Sequence, residues 1–330
     1  KLLAEEILRI ISVPGALDVE AFEGGRLHRL RYAVEEDAPI TRGALKDIGV
    51  PEGVVLVMGS RGDDLFLPKG NTQFEPGDKL TAMGTMAGIN GLLSDYLRTP
   101  HSVEQGNRAT VVGGGVVGLA VALGLEESKW RVKVIESNRG RCEEIAPLLD
   151  GLVLHGDGTD LELLEEEHIG DSAVLVAVTS NDEKNLLVSL LAKNLGVDRI
   201  VTRATHLGNE RLFEHVGIDV VRSARGAAVS AVLRRIDDSR EALLAEIAHG
   251  DAEVIELELP ADLPAVPLMN MKSELFAIIG AILRKGHVII PRGTDVVQGG
   301  DRILVFCTRA EEEQIREFFL TRLKDLAETG

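Results

Sequence analysis

Apolar and polar positions alternate along this chain in three distinct rhythms. Residues 2–11, Leu-Leu-Ala-Glu-Glu-Ile-Leu-Arg-Ile-Ile, place apolar side chains at helical spacing and stop at Pro14-Gly15. Short strand-like runs follow at Leu17–Phe22, Leu27–Val34, Val54–Met58, Leu65–Leu67 and Leu80–Met83, and a helix is expected over Met86–Leu97. Together they predict a small α+β unit closed by a polar linker that carries Pro100 and Gly106. From Ala109 the rhythm changes. Brief, mostly apolar runs (Ala109–Val112, Val132–Ile135, Leu152–Leu154, Val174–Val178, Ile200–Thr202, Asp219–Val221) read as buried parallel strands. Helical stretches separate several of them: Val116–Glu127, Asp160–Glu167 capped by Thr159, and Glu183–Leu195 preceded by Ser180 and Asn181 as cap candidates. Strands alternating with helices predict an α/β, doubly wound parallel sheet, and Ser223 could cap a last helix through Ile236. From Asp251 the short strands return.

The returning strands repeat the first set. Pro68-Lys69-Gly70 with Pro76-Gly77-Asp78-Lys79-Leu80 matches Pro291-Arg292-Gly293 with Gly299-Gly300-Asp301-Arg302-Ile303 at one offset (291 − 68 = 223 and 301 − 78 = 223). Leu8-Arg9 matches Leu233-Arg234 and Ala16-Leu17 matches Ala242-Leu243 at slightly larger offsets (225 and 226), as small loop insertions would produce. The expected organisation is a linker helix over 1–15, a first lobe over 16–98, a linker over 99–107, a Rossmann unit over 108–238 and a second lobe over 239–330. In the second copy the Leu233-Arg234 helix follows a Rossmann unit, so the Leu8-Arg9 helix is expected to be where an earlier such unit would end.

Composition narrows the function. A net charge of −17 argues against a nucleic-acid footprint, and 3% aromatic residues leave few stacking platforms for single strands. No apolar run nears the roughly 20 residues that span a bilayer, and the opening residues do not read as a secretory signal. Cys142 and Cys307 lie far apart with no C-x-x-C, and the eight histidines form no ligand spacing, so inert thiols in a cytosolic protein and no metal are expected.

The chemistry sits at Thr110–Ala120. Gly113, Gly115 and Gly118 form G-x-G-x-x-G between a strand and a helix, where glycines allow a tight turn, backbone approach to a pyrophosphate and close helix packing. Glu136 ends the next strand, 18 residues on (136 − 118), where an acid can meet ribose hydroxyls. Three more segments fall at the carboxyl edge of the sheet. Asp157, in His155–Asp160, can face the nucleotide, although a capping turn would look the same; Thr179 and Ser180 could contact a base or ribose; Arg203 could reach phosphate, or pair with a carboxylate. No Ser-His-Asp set, H-E-x-x-H or G-x-x-x-x-G-K-[ST] loop is present, and the flanking lobes hold no obvious hydride-transfer acid.

These residues resemble the TrkA family, the cytosolic nucleotide-gated regulators of Trk potassium uptake. The resemblance rests on V-V-G-G-G-V-V-G at 111–118, V-K-V-I-E at 132–136, H-G-D-G-T-D at 155–160, A-V-T-S-N-D-E-K-N at 177–185 and I-L-R-I-I-S-V-P-G-A-L at 7–17. It implies a Rossmann (RCK-N, or TrkA-N) domain between two RCK-C (TrkA-C) lobes, with a first Rossmann unit missing. It implies NAD(H), and in relatives ATP or ADP, at Gly113, Gly114, Gly115, Val116, Val117 and Gly118, with Glu136, Asp157, Thr179, Ser180 and Arg203 around it. A proline expected near Ala224 is absent, which touches only the entry to the last helix.

By the same resemblance the chain is not an enzyme. It would be a regulatory subunit, peripheral on the inner face of the cell membrane, that couples nucleotide binding to flux through a Trk-type potassium-translocating membrane subunit. It would assemble as a homo-oligomer through Rossmann and lobe contacts. The alternatives are an NAD-dependent dehydrogenase of unknown substrate and the regulatory module of another monovalent-cation transporter.

Overall fold

The computed structural model describes residues 1–62, 64–97, 106–228, 241–247, 252–271 and 277–323. Helix α1 (Leu2–Ile11) opens the chain and buries Leu3, Ala4, Ile7, Ile10 and Ile11 along one stripe. Strands β1 (Ala16–Phe22), β2 (Leu27–Ala33), β3 (Val54–Arg61), β4 (Asp64–Phe66) and β5 (Lys79–Gly84), with helices α2 (Leu45–Ile48) and α3 (Met86–Asp95), form the first lobe, its sheet ordered β1-β2-β5-β3-β4. Then come β6 (Arg108–Val112), α4 (Val116–Glu127), β7 (Arg131–Glu136), α5 (Arg139–Ile145), β8 (Leu152–His155), α6 (Leu161–Glu166), β9 (Val174–Ala177), α7 (Asp182–Asn194), β10 (Ile200–Ala204), α8 (Leu207–His215) and β11 (Val220–Ser223). The second lobe holds β12 (Glu241–Ile247), β13 (Ala252–Glu258), β14 (Val266–Pro267), β15 (Ala277–Arg284), β16 (His287–Ile289), β17 (Val296–Val297), β18 (Arg302–Thr308) and α9 (Glu312–Glu317).

The chain divides into two compact units, residues 1–17 with 99–231 and residues 18–98 with 232–330. In the first, six strands run in the order β11-β10-β9-β6-β7-β8, and every pairing is parallel. Val111, Val134, Val176 and Val201 face α1 and α4, while Val112, Ile135, Ala177 and Ile200 face α6 and α7. Two covered faces explain why these strands read as mostly apolar runs and not as alternating ones. Helix α1 lies against α4 closely enough that a Cβ on Gly124 would stand 2.3 Å from Leu8 Cδ1. Its C-terminal end and the turn that follows are gripped by Arg199, which donates to the carbonyls of Ile10, Val13 and Ala16, and Arg222 pairs with Glu6 at 2.8 Å.

The lobes repeat each other in topology and in detail. The second sheet is ordered β12-β13-β18-β15-β16, so each strand sits where its counterpart sits in the first. A register shift between Leu56 and Met58 recurs between Ile279 and Ala281, 223 residues on (279 − 56, 281 − 58). Arg61 donates through Nε and its terminal nitrogen to both oxygens of buried Asp78, each at 2.8 Å. Arg284 does the same to buried Asp301, each at 2.7 Å. The turn aspartates also accept the backbone N–H three residues before, from Glu75 and Gln298. That bidentate pair is what the Gly-Asp turns seen in the sequence are built to hold. The lobes share a core of Phe22, Val57, Met58 and Met83 with Val254, Ala281, Leu304 and Phe306.

Some sequence expectations shift in the structure. The cap of α6 is Asp160, whose carboxylate accepts from Glu162 N–H, and not Thr159. Asn181, one of two candidates, caps α7. Helices α5 and α8 were not foreseen. Ser223 does accept from Gly226 N–H, but the helix expected through Ile236, including Leu233-Arg234, lies outside the described residues beyond 228. Of the linker over 99–107, residues 106 and 107 alone are described.

Candidate nucleotide-binding site

The sheet order places β6 between β9 and β7, and chain direction across the sheet reverses at β6 and β9. Ligands of such sheets sit at that crevice, beyond the carboxyl ends of the strands. The glycine loop occupies it. Gly113 takes φ +106°, a left-handed value that favours glycine, and a Cβ there would be 3.0 Å from Thr179 N. A Cβ on Gly118 would lie 1.8 Å from Gly113 O, so the third glycine lets α4 start directly against the loop. Gly115 is different: a Cβ on it meets nothing within 4 Å. Its absence leaves backbone facing open space, which is what close approach of a phosphate needs. Gly115 is also the N-cap of α4 and supplies no side-chain acceptor, so the first-turn N–H groups and the positive end of the helix dipole are offered outward. Val116, in that first turn, is 78% exposed.

Glu136 stands on one flank of the loop and Thr179 on the other. The Glu136 carboxylate accepts Gly114 N–H at 2.7 Å through Oε2 and Asn138 N–H at 2.7 Å through Oε1. Two strong donors do not exhaust a carboxylate, so capacity for ribose hydroxyls remains while the acid already braces the loop. Arg141, which the sequence reading missed, donates Nε to Gly114 O at 2.8 Å and pairs with Glu144. Its position inside the polar run Arg-Gly-Arg-Cys-Glu-Glu gave no hint of that contact.

Asp157 is engaged by protein groups. Lys184 Nζ reaches it at 2.7 Å, and the N–H and hydroxyl of Thr159 donate to it at 3.0 and 2.8 Å. The Lys184 hydrogen bond, then the two from Thr159, hold this carboxyl down to about 2. A depressed value means that the contact is at full strength above the ordinary 3.8 and is lost only as pH falls toward 2. Ser180 is exposed at the loop after β9. Arg203 is half-buried at the end of β10, and its Nε is buried with no hydrogen-bond partner. The carboxylate pairing that could have explained it is not among the described contacts. A buried guanidinium N–H without an acceptor is costly, and an anionic ligand would relieve that cost.

These features fit a nucleotide's pyrophosphate and ribose. Both cysteines are buried and free: Cys142 Sγ reaches Glu136 O at 3.3 Å, and burial, helped by Glu253, pushes the Cys307 thiol up to about 12. Among the described residues no group of three His, Cys, Asp or Glu could hold a metal, and no helix is long and apolar enough to cross a membrane.

Residues 109–224 match the model of the TrkA-N domain, and residues 30–94 and 267–320 match that of the TrkA-C domain. A Trk system potassium uptake protein TrkA homolog 2 from Methanosarcina mazei is 34% identical over 324 residues, covering 96% of this chain and 71% of the relative. The chain belongs to the TrkA family. An Archaeoglobus fulgidus TrkA homolog is 35% identical over 318 residues, covering 96% of this chain and 72% of the relative. Among solved structures, the crystal structure of the GsuK RCK domain has a TM-score of 0.53 at 20% identity and covers 96% of this chain and 69% of its own. A GsuK channel bound to NAD gives the same TM-score and identity, over 96% of this chain and 56% of its own. At that identity the likeness establishes the fold that this TrkA-family chain shares.

If Arg203 serves a ligand and not the fold, Arg203→Gln leaves the ligand-free melting temperature nearly unchanged, because its Nε makes no hydrogen bond within the protein that the substitution could break. The stabilisation that NADH or ATP confers then shrinks. Strong destabilisation with binding intact would make Arg203 a structural residue.

Proposed function

We propose that this protein is a nucleotide-binding regulatory subunit of a Trk-type potassium uptake system, with NAD(H) as ligand and ATP or ADP as competitors for the same site. The observation that carries the reading is the glycine loop itself. It presents uncapped helix N–H groups and open space at Gly115, with an acid on one side and an unpartnered arginine nitrogen nearby. Gly113–Val117 would hold the phosphates, Glu136 the ribose hydroxyls, and Arg203 the phosphate side; Thr179 and Ser180 would line the approach. Support for the potassium connection comes from the names of the TrkA relatives, and support for NAD from the GsuK channel solved with it. The protein turns nothing over. It works by binding nucleotide states with different affinity in different conformations, because a ligand that binds all conformations equally shifts none. Its membrane partner is a potassium-translocating subunit, met on the cytoplasmic face by an assembly of several copies.

Calorimetric titration of the purified chain with NADH, NAD, ATP and ADP tests the binding half. Saturable binding of at least one of them, with NADH oxidation at background when carbonyl compounds are added, is the expected result. Steady turnover with any of these compounds would favour the dehydrogenase alternative.

A further inference from the structure

The ladder between β9 and β10 runs from Leu175–Ile200 to Ala177–Thr202 and stops there, just below the site. Beyond it, Thr179 and Arg203 leave on separate paths, yet they do not lose connection. Asn185, in the first turn of α7, is fully buried between them. Its Oδ1 accepts Thr179 N–H at 2.9 Å and the Thr179 hydroxyl at 2.7 Å. Its Nδ2 donates to Thr179 O at 3.2 Å and to Arg203 O at 3.0 Å. The partners dictate the amide's orientation, because a backbone N–H only donates and a carbonyl only accepts. The side chain therefore replaces the missing rungs of the ladder with an amide of its own.

Asn185 is itself held. Ser189 Oγ donates to its carbonyl at 2.7 Å and meets Thr202 Oγ1 at 2.5 Å. Its neighbours in the same helical turn reach the other loops of the crevice. Asp182 accepts from Thr205 N–H at 2.8 Å and Asn209 Nδ2 at 2.7 Å, and Lys184 spans to Asp157 at 2.7 Å. One turn of helix thus grips the loops after β8, β9 and β10.

We infer that Asn185 is a positioning residue for nucleotide binding, which holds the strand ends bearing Thr179 and Arg203 at a set spacing so that the Arg203 side chain is launched toward the ligand. This rests on the nucleotide reading of the glycine loop. It adds that Asn185, fully buried beneath the crevice, sets the site's affinity through Arg203.

Asn185→Asp separates this role from packing. The shape is kept and Oδ1 keeps its two donors, but an oxygen now faces the carbonyls of Thr179 and Arg203. NADH affinity is expected to fall roughly tenfold, as loss of a charge-assisted contact would produce. Measured well below the melting transition, the fall should come mostly through Arg203. In the Arg203→Gln background, Asn185→Asp should therefore cost at least about threefold less than it does in the parent, the coupling expected of residues that share one contact network. If Asn185→Asp does not fold, Asn185→Ser is read in the same cycle. Unchanged NADH affinity in the folded variant, or losses that simply multiply, would overturn the inference while leaving the nucleotide site standing. No binding of NADH, NAD, ATP or ADP by the parent would overturn both.

Discussion

Gly118→Ala is expected to unseat the glycine loop and remove nucleotide binding together. The added Cβ would stand 1.8 Å from Gly113 O, and that atom belongs to the backbone, which cannot swing aside as a side-chain tip can. Either α4 or the loop has to move. Overpacking of this kind costs about 1–3 kcal/mol, and a backbone clash belongs at the upper end. A fall in melting temperature of roughly 6–12 °C follows for a unit of this size. Relieving a 1.8 Å contact takes a shift of about 1 Å or more, which also breaks the 2.7 Å Gly114 N–H bond to Glu136, so NADH affinity should drop about 100-fold. Gly115→Ala is the companion. Its φ of −66° suits alanine and its Cβ meets nothing, so the fold should not notice while binding still falls. A Gly118→Ala protein that melts and binds like the parent would mean that the loop is merely a turn.

The second large effect is expected at Glu136. Glu136→Ala removes the acceptor of Gly114 N–H and Asn138 N–H as well as the proposed partner of the ribose hydroxyls. Loss of charge-assisted bonds costs roughly 1.5–3 kcal/mol, so NADH affinity should weaken about tenfold or more. The parent should bind NADPH worse than NADH, because a carboxylate at the ribose repels a 2′-phosphate. Glu136→Gln keeps one acceptor for the loop but loses the charge, so it should narrow the NADH–NADPH gap more than it lowers stability. Equal affinity of Glu136→Ala and parent, or a parent that prefers NADPH, would contradict the assignment.

How far the site could be read from the sequence depended on whether one residue carried its own reason. Gly113, Gly115 and Gly118 stand at a spacing that only a close-packed loop requires, and Glu136 ends a strand at the right distance, so both were legible. The internal repeat was legible for a related cause. The Asp78 and Asp301 turns each have to receive an arginine fork, and that need conserves turn residues across 223 positions (301 − 78). Contacts made between loops were not. Lys184 and Asp157 lie 27 residues apart, and Arg141 reaches back 27 residues to Gly114 O. Nothing local marks either pairing. Asn185 stands in the A-V-T-S-N-D-E-K-N run, but its burial is decided by where β10 passes, which no local pattern shows. The misplaced cap of α6 has a similar origin: Thr159 is occupied by Asp157, which leaves Asp160 to receive the helix N–H.

We propose that nucleotide state at Gly113–Gly118 is converted into potassium flux. The most direct test is potassium flux through a Trk-type membrane subunit reconstituted in liposomes, with this protein added and NADH, NAD, ATP or ADP supplied in turn. The flux is expected to depend on the protein, to differ between nucleotides, and to lose that difference with Gly115→Ala. Flux that is indifferent to both the protein and the nucleotide would contradict it.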